Sequence, residues 1–458
     1  MTSEAKTFYK QLVSIVGPMA LQNLISALVN SVDIFMLGSV GQTAIAASSL
    51  AGQIVFILFM VTTGLSSGLV MLAAQYWGKK DIKSIQTLSG IALRISAAVG
   101  LVFSLTAFFV PTLLMRIFTN EENLINVGAS YLKAVSFSYF FMSLSQILQA
   151  AFKSTEKVLF VMVLTFVSLG MNVILNGCFL YGWLFFPKLG IVGVGIATSI
   201  ARLVEVVICL IYAATQKELG FGLGLLFRRN KILTHDFFKF SLPAVGNEMV
   251  WGLAFSMYTV ILGHLGEDIV AANSVVNVVR NLGTVLVFGM AYGGAIVLGK
   301  YMGAGNLEVA ERNASRLGKV TVGAGFFGAV LVLCLYPVLP FIAELNETAS
   351  NYRFWLLIIN SYSIIGCAVN TGYICGIFRA GGDAKFGFVA DAICMWLVSL
   401  PLGLLAAFVF KLPPVWVYFV LYLDEFEKMP FVIVHYLKKK WLKNITRDQS
   451  VLQAAEKN

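Results

Sequence analysis

The sequence predicts an all-α integral membrane protein, with twelve transmembrane helices in two pseudo-symmetric six-helix lobes around a central cleft. Three observations predict it. Of the 458 residues, 58% are hydrophobic and only 12% charged, and the mean hydropathy is +0.83. Soluble domains run nearer about half apolar and a quarter charged, so the excess apolar surface faces lipid. Twelve apolar runs of spanning length follow one another between polar or Gly/Pro/Asn-rich breaks. The second six of these runs repeat the first six.

The polar start, Met1 to Lys10, leads into a run over 12–37 that lacks a small-residue cleavage site, so it reads as a first spanning helix and not a signal peptide. Runs over 44–74, 88–115, 130–152, 158–186 and 189–214 complete a first lobe, 1–216. A polar connection carrying Arg228, Arg229 and Lys231 forms a cytoplasmic linker, 217–239. The second lobe, 240–458, holds runs over 238–265, 269–299, 317–343, 353–378, 386–410 and 413–437 and ends in a basic tail. An even number of spans puts both termini on one side. With the termini inside, 26 of the 33 Lys and Arg fall on cytoplasmic segments and span ends, Arg379 and Lys428 among them. Five fall outside, Arg116, Lys133, Lys188, Arg353 and Lys411, so the positive-inside rule makes both termini cytoplasmic.

The repeat is read by adding 225 to a position. Pro18 then meets Pro243, Gly38 meets Gly263, Gly64 meets Gly289, Gly68 meets Gly293, Tyr76 meets Tyr301 and Gly78 meets Gly303. Six spans separate the copies, so each starts on the same side of the membrane, which gives parallel repeats about an axis along the membrane normal. Two such lobes facing a cleft suit alternating access.

Several functions are excluded. The net charge of +10 is scattered between apolar runs and forms no basic face for nucleic acid. The six cysteines lie inside apolar runs without zinc spacing. Gly294 to Tyr301 mimics a phosphate loop, but Tyr301 stands where the Mg2+-binding Ser or Thr belongs, so ATP does not drive this chain. His235, His264 and His435 fall at span ends or loops, and no nucleophile or metal set converges on them, so enzyme activity is not expected.

Ionisable groups in helix centres cost about 3 kcal/mol on insertion scales and are functional candidates by default. Asp33 is the strongest. With Gln22, Ser26 and Asn30 it lines one face of the first helix, and Pro18 just before that stripe withholds a backbone hydrogen bond and permits a bend. A carboxylate among amides in low dielectric can hold a proton or a small cation. Ser168, Asn172 and Asn176 share a face of the fifth span, and Thr198 lies at similar depth on the sixth. In the second half, Glu248 has Trp251 and Phe255 on its face, an arrangement suited to a lipophilic cation. Asn273, Asn277, Arg280 and Thr284 stripe the eighth span, with Arg280 read as the neutraliser of a buried acid. Arg202 and Glu205 have the spacing of an intrahelical ion pair. Asp391 and the cluster Asp424, Glu425, Glu427 read either as a proton relay lining a cytoplasmic vestibule or as solvated helix surface.

Over nearly its whole length the chain resembles the multidrug and toxic compound extrusion (MATE) family. The likeness rests on Val32 to Gly38, Ala74-Gln75-Tyr76-Trp77-Gly78-Lys79-Lys80, Gly193 to Thr198, Asn247 to Trp251, Ile377 to Asp383, Asp391 to Trp396, and Asp424-Glu425 followed by Lys438 to Trp441. The resemblance implies a monomeric twelve-helix antiporter of a bacterial inner membrane. It would export lipophilic, often cationic, small molecules in exchange for Na+ or H+ and need no other cofactor. It also implies a first-lobe cation site at Asp33, Asn172, Asn176 and Thr198. Some members carry a second acid where Asn176 stands, and some pair the Glu248 position with an acid where this chain has Asn370. Glu248, Trp251, Asn273, Asn277 and Arg280 form the candidate substrate or second ion site. The alternative is a flippase for lipids or lipid-linked precursors, which would need a more basic cleft.

Overall fold

A computed structural model describes residues 3–38, 41–183, 186–216, 228–342 and 345–456; within these, the side chains of 27, 28, 30–35, 341, 342 and 453–456 lie outside the description. The described residues are mostly helical, in the order α1 (Ser3–Gly38), α2 (Gln42–Gly78), α3 (Ile82–Phe109), α4 (Glu122–Ser154), α5 (Val158–Tyr181), α6 (Gly190–Thr215), α7 (Lys231–Gly263), α8 (Glu267–Gly303), α9 (Leu307–Cys334), α10 (Glu347–Phe378) and α11 (Ala384–Val409). The twelfth span is broken into α12 (Pro414–Leu421) and α13 (Asp424–Leu437). Among the described residues nine helices are long and apolar enough to cross a bilayer. α1 and α4 are diluted by polar residues, and α12 and α13 are each too short to cross alone. In α4, for example, Ser136, Ser138, Ser143, Ser145 and Gln149 are all buried.

Residues fall into two compact units. One comprises Met1–Ala20, Ala74–Lys79 and Leu242–Thr446, the other Leu21–Ala73, Lys80–Ser241 and Arg447–Asn458. The division cuts α1 just after Pro18 and α7 just before Pro243. A proline inside a helix removes one rung of the ladder, so each helix is most easily deformed at that point.

Within the first unit the repeat explains itself. A Cβ added at Gly78 would stand 2.0 Å from the Lys300 carbonyl oxygen, and one at Gly303 only 1.8 Å from that of Gln75. Gln75 and Lys300 are themselves related by the offset of 225. The ends of α2 and α8 therefore cross as a local pseudo-twofold pair, each glycine admitting the other copy's backbone. The buried Gln75 amide donates to the carbonyls of Ala380 (2.8 Å) and Lys443 (3.0 Å), and its oxygen accepts from the Ile445 amide (2.8 Å), so the chain after α13 is tied to this crossing.

A large apolar core belongs to the first unit, with Tyr258, Ile261, Val276, Leu356, Val417 and Tyr418 among its members. In the second unit α2 packs on α3 and α4 through Ala51, Leu58, Ala107, Leu132 and Tyr139. A smaller group joins Leu37, Ala47, Leu180 and Val194.

Candidate functional site

Three helices of the first unit depart from regular α geometry at one place. α10 widens to π-helical turns over Gly372–Phe378, α11 does so over Ala392–Ser399, and the twelfth span breaks between Leu421 and Asp424. Such turns free backbone groups and re-aim side chains, which is why they recur at functional sites. Here they bring Asn370, Arg379, Asp391, Asp424, Glu425 and Lys428 together with Asn247 and Glu248 of α7.

The connections are specific. Arg379 Nη1 donates to Glu248 Oε1 at 2.8 Å and its Nη2 to Asn247 Oδ1 at 2.6 Å. Asn247 passes the link on by donating through Nδ2 to Asp391. Lys428 Nζ lies 3.1 Å from Asp391, 2.9 Å from Asp424 Oδ2 and 3.9 Å from Glu425. Asn370 Nδ2 donates to Glu425 at both its backbone oxygen (2.6 Å) and its carboxylate (2.8 Å). All of these groups are buried, Lys428 being 2% exposed and Asp424 not at all. Asp424 Oδ1 and Asn370 Oδ1 are buried without a hydrogen-bond partner among the described residues. A cavity of about 50 Å³, room for on the order of three waters, opens among Glu248, Trp251, Tyr292, Asn370, Arg379, Asp391, Glu425 and Lys428.

Four carboxylates thus meet two cations. Buried charges persist only when paired, so a network with this imbalance is completed by protons on its carboxyl groups or by an added cation. Amide and carboxylate oxygens around a small cavity are the hard donors that either would require.

The structure redistributes the sequence-predicted residues. Glu248 and Trp251 line the cavity, but the partner of Glu248 is Arg379. Arg379 and Lys428, read from the charge pattern as span-end charges that fix topology, are buried ion-pair members. The reading of Asp391, Asp424 and Glu425 as solvated surface is overturned in the same way, since all three are buried around Lys428. The i, i+4 spacing of Asp424 and Lys428 was the available signal. Asn273 is buried and Asn277 partly exposed on α8. Arg280 does not neutralise an acid among the described residues. Its guanidinium lies over the adjacent rings of Phe255 (4.8 Å) and Tyr422 (5.0 Å), with a long hydrogen bond to the Tyr422 hydroxyl (3.4 Å).

In the second unit Asn172, Asn176 and Thr198 do meet. Asn172 Nδ2 donates to Thr198 Oγ1 at 3.3 Å and Asn176 Nδ2 to Asn172 Oδ1 at 3.2 Å. The Asp33 side chain lies outside the described residues; its backbone is part of α1. The Arg202–Glu205 ion pair that the spacing predicts forms at 2.7 Å, and Glu205 takes in addition hydrogen bonds from Gln149 and Ser168, which sequence reading missed.

Comparison with known proteins bears on what such an arrangement serves. A family profile, MatE, matches residues 18–177 and 243–405, two stretches whose starts are offset by the 225 residues of the internal repeat. An uncharacterized transporter of Bacillus subtilis, YisQ, is 23% identical over 95% of both chains. The probable multidrug resistance protein NorM of Pseudomonas aeruginosa is 23% identical over 89% of this chain and 85% of its own. Among solved structures, a mutant of the Vibrio cholerae MATE transporter VcmN superposes with a TM-score of 0.87 at 16% identity, covering 96% of this chain and all of that one. At that identity the likeness speaks for the fold.

Proposed function

The chain belongs to the MatE family of multidrug efflux transporters, and from that premise we propose that it is a secondary active antiporter. It exports lipophilic cations by alternating access in exchange for Na+ or H+, as a monomer in a bacterial inner membrane with both termini cytoplasmic. The observation that carries the reading is the charge imbalance around the Glu248 cavity, where four buried carboxylates face two buried cations. A site short of positive charge takes up a coupling ion, and the unpartnered Asn370 oxygen beside Glu425 supplies a neutral ligand for it. Asp33 with Asn172, Asn176 and Thr198 offers a second place for an ion, poorer in charge.

The multidrug names of the relatives favour this reading over a flippase for lipid-linked precursors. Proteoliposomes loaded with a fluorescent lipophilic cation and subjected to Na+ and pH gradients separately test it. One gradient should drive dye movement and its dissipation should abolish it; dye movement indifferent to both would sink the antiporter. Asp33→Asn and Glu425→Gln should each lower the driven rate about tenfold, the loss of one charge-assisted contact. Protein content in the vesicles should stay unchanged. An unaltered rate removes that residue from the coupling path.

A further inference from the structure

Arg280 lies near the middle of α8, where a guanidinium is costly, yet no carboxylate pairs with it among the described residues. What holds it is aromatic. Phe255 of α7 and Tyr422, at the break of the twelfth span, lie over its guanidinium at 4.8 and 5.0 Å, within the range of cation–π attraction. Each of those rings is braced in turn. Trp251 stands 4.7 Å from Phe255, and Tyr418 stacks on Tyr422 at 4.4 Å. Asn360 donates to the Tyr418 hydroxyl and thereby fixes that pair.

The two ring centroids are 6.0 Å from each other, so the rings flank the guanidinium on one side and do not enclose it, which leaves its N–H fork approachable. Among the described residues the one partner there is the Tyr422 hydroxyl at 3.4 Å, too long to satisfy the fork, and Arg280 is partly exposed. One turn and two turns before it on α8 stand Asn277, partly exposed, and Asn273, whose buried Oδ1 has no partner among the described residues. On the other side the wall continues through Trp251 and Phe288, 6.5 Å apart, toward the cavity at Glu248. A planar fork with unused donors, set into an aromatic wall, is a receptor for a carboxylate attached to a flat apolar body.

We infer that Arg280 is a specificity-determining residue that binds the carboxylate of aromatic substrates, zwitterions included, with Trp251, Phe255 and Phe288 holding the ring system. The inference rests on the exporter reading for its physiological sense, but not for its test. The assignment gives Arg280 work that a purely cationic ligand would not ask of it. A cation would be repelled by this end of the wall and would settle toward Glu248. A zwitterion has a use for both ends.

Two xanthene dyes separate the cases, one with a free carboxylate and the other its ethyl ester, otherwise identical. Binding to purified protein is measured by equilibrium dialysis and efflux by proteoliposome assay. Arg280→Gln should weaken carboxylate-dye binding about tenfold or more, as expected for loss of a bidentate charge-assisted contact, and leave the ester within twofold. Arg280→Lys, which keeps the charge and loses the fork, should fall between. Equal losses for both dyes would make Arg280 a structural residue, and no change for the carboxylate dye would remove it from the site; either overturns the inference. Failure of the wild type to move the ester strikes the exporter reading instead and leaves the dialysis result to decide Arg280.

Discussion

The two copies of the repeat have diverged most where their polar chemistry lies. Gln22 and Asn23 on α1 correspond, at the offset of 225, to Asn247 and Glu248 on α7. In the first copy Gln22 donates to Thr165 at 2.8 Å and to Gln149 at 3.4 Å, and Gln149 donates to Glu205, whose charge Arg202 balances. Amides connect a single acid to a single base. In the second copy Asn247 is still an amide bridge, but it joins Arg379 to Asp391, and beside it Glu248 begins a chain of charges that ends at Lys428 and Asp424. The scaffold is shared, but the first copy gathers one acid and one base in this layer where the second gathers four acids and two bases. The first copy carries a further acid ten residues along α1, at Asp33, where the second has Tyr258. On a helix that is about 15 Å of depth. The copies are built to hold ionic groups at different levels.

The contrast is broken most directly at the cations. Lys428→Met should destabilise the protein by about 3–5 kcal/mol, because Asp391 and Asp424 would be left buried without their counter-ion. Arg202→Met should cost less, about 1–3 kcal/mol, since Arg202 is 33% exposed and only one carboxylate, the buried Glu205, loses its counter-ion. Unfolding in detergent, followed by near-UV circular dichroism, gives both numbers. Adding Asp424→Asn to Lys428→Met should restore part of the loss, since it removes the charge that the lysine neutralised. Equal costs for the two single variants would show that the second-copy network is no more dependent on its cations than the first.

The same comparison is sharpened at a place where the copies have not diverged. Gly78→Ala and Gly303→Ala should each destabilise by about 1–3 kcal/mol through overpacking. Their Cβ atoms would meet the carbonyls of Lys300 and Gln75 at 2.0 and 1.8 Å, and backbone cannot move aside as a flexible side chain can. Similar losses at both positions, measured by the same unfolding assay, are the mark of a pseudo-twofold crossing. A loss at only one would make the matched glycines a coincidence of sequence.

How much of this was legible in the sequence depended on the kind of signal. Spanning helices announce themselves because twenty apolar residues in a row have few other uses, and the repeat showed because glycine and proline are irreplaceable where backbones touch or bend. The first-unit network was not legible. Arg379 and Lys428 sit near span ends, where a basic residue is expected for topology, and nothing in their spacing separates a lysine facing water from one facing three acids across other helices. The partners came from α7, α10, α11 and α13, and only packing brings those together. Arg280 was visible as an anomaly, but its neighbours were not. The likeliest partner for an intramembrane arginine is an acid, and two aromatic faces from distant parts of the chain took that role instead.

The smallest effect belongs to an ion pair of the first unit that is exposed. Glu4, in the first turn of α1, accepts from Arg312 Nη2 at 2.9 Å and from Arg316 Nη1 at 2.8 Å. These hydrogen bonds, Arg312's first and Arg316's second, hold its carboxyl below the usual value of 4.5. A carboxyl with a lowered folded pKa stabilises the fold above the unfolded value and loses that contribution as pH falls through the folded one. The difference in melting temperature between wild type and Glu4→Gln should therefore be constant from neutral pH down to about pH 5 and should close at more acid pH. High salt should shrink it throughout, because the pair is in contact with water. The buried pairs around Lys428 are shielded from that screening, so Lys428→Met should be far less sensitive to salt than Glu4→Gln. If both respond to salt alike, the network around Lys428 is open to water and its charge imbalance is made good by solvent ions without a bound proton or cation.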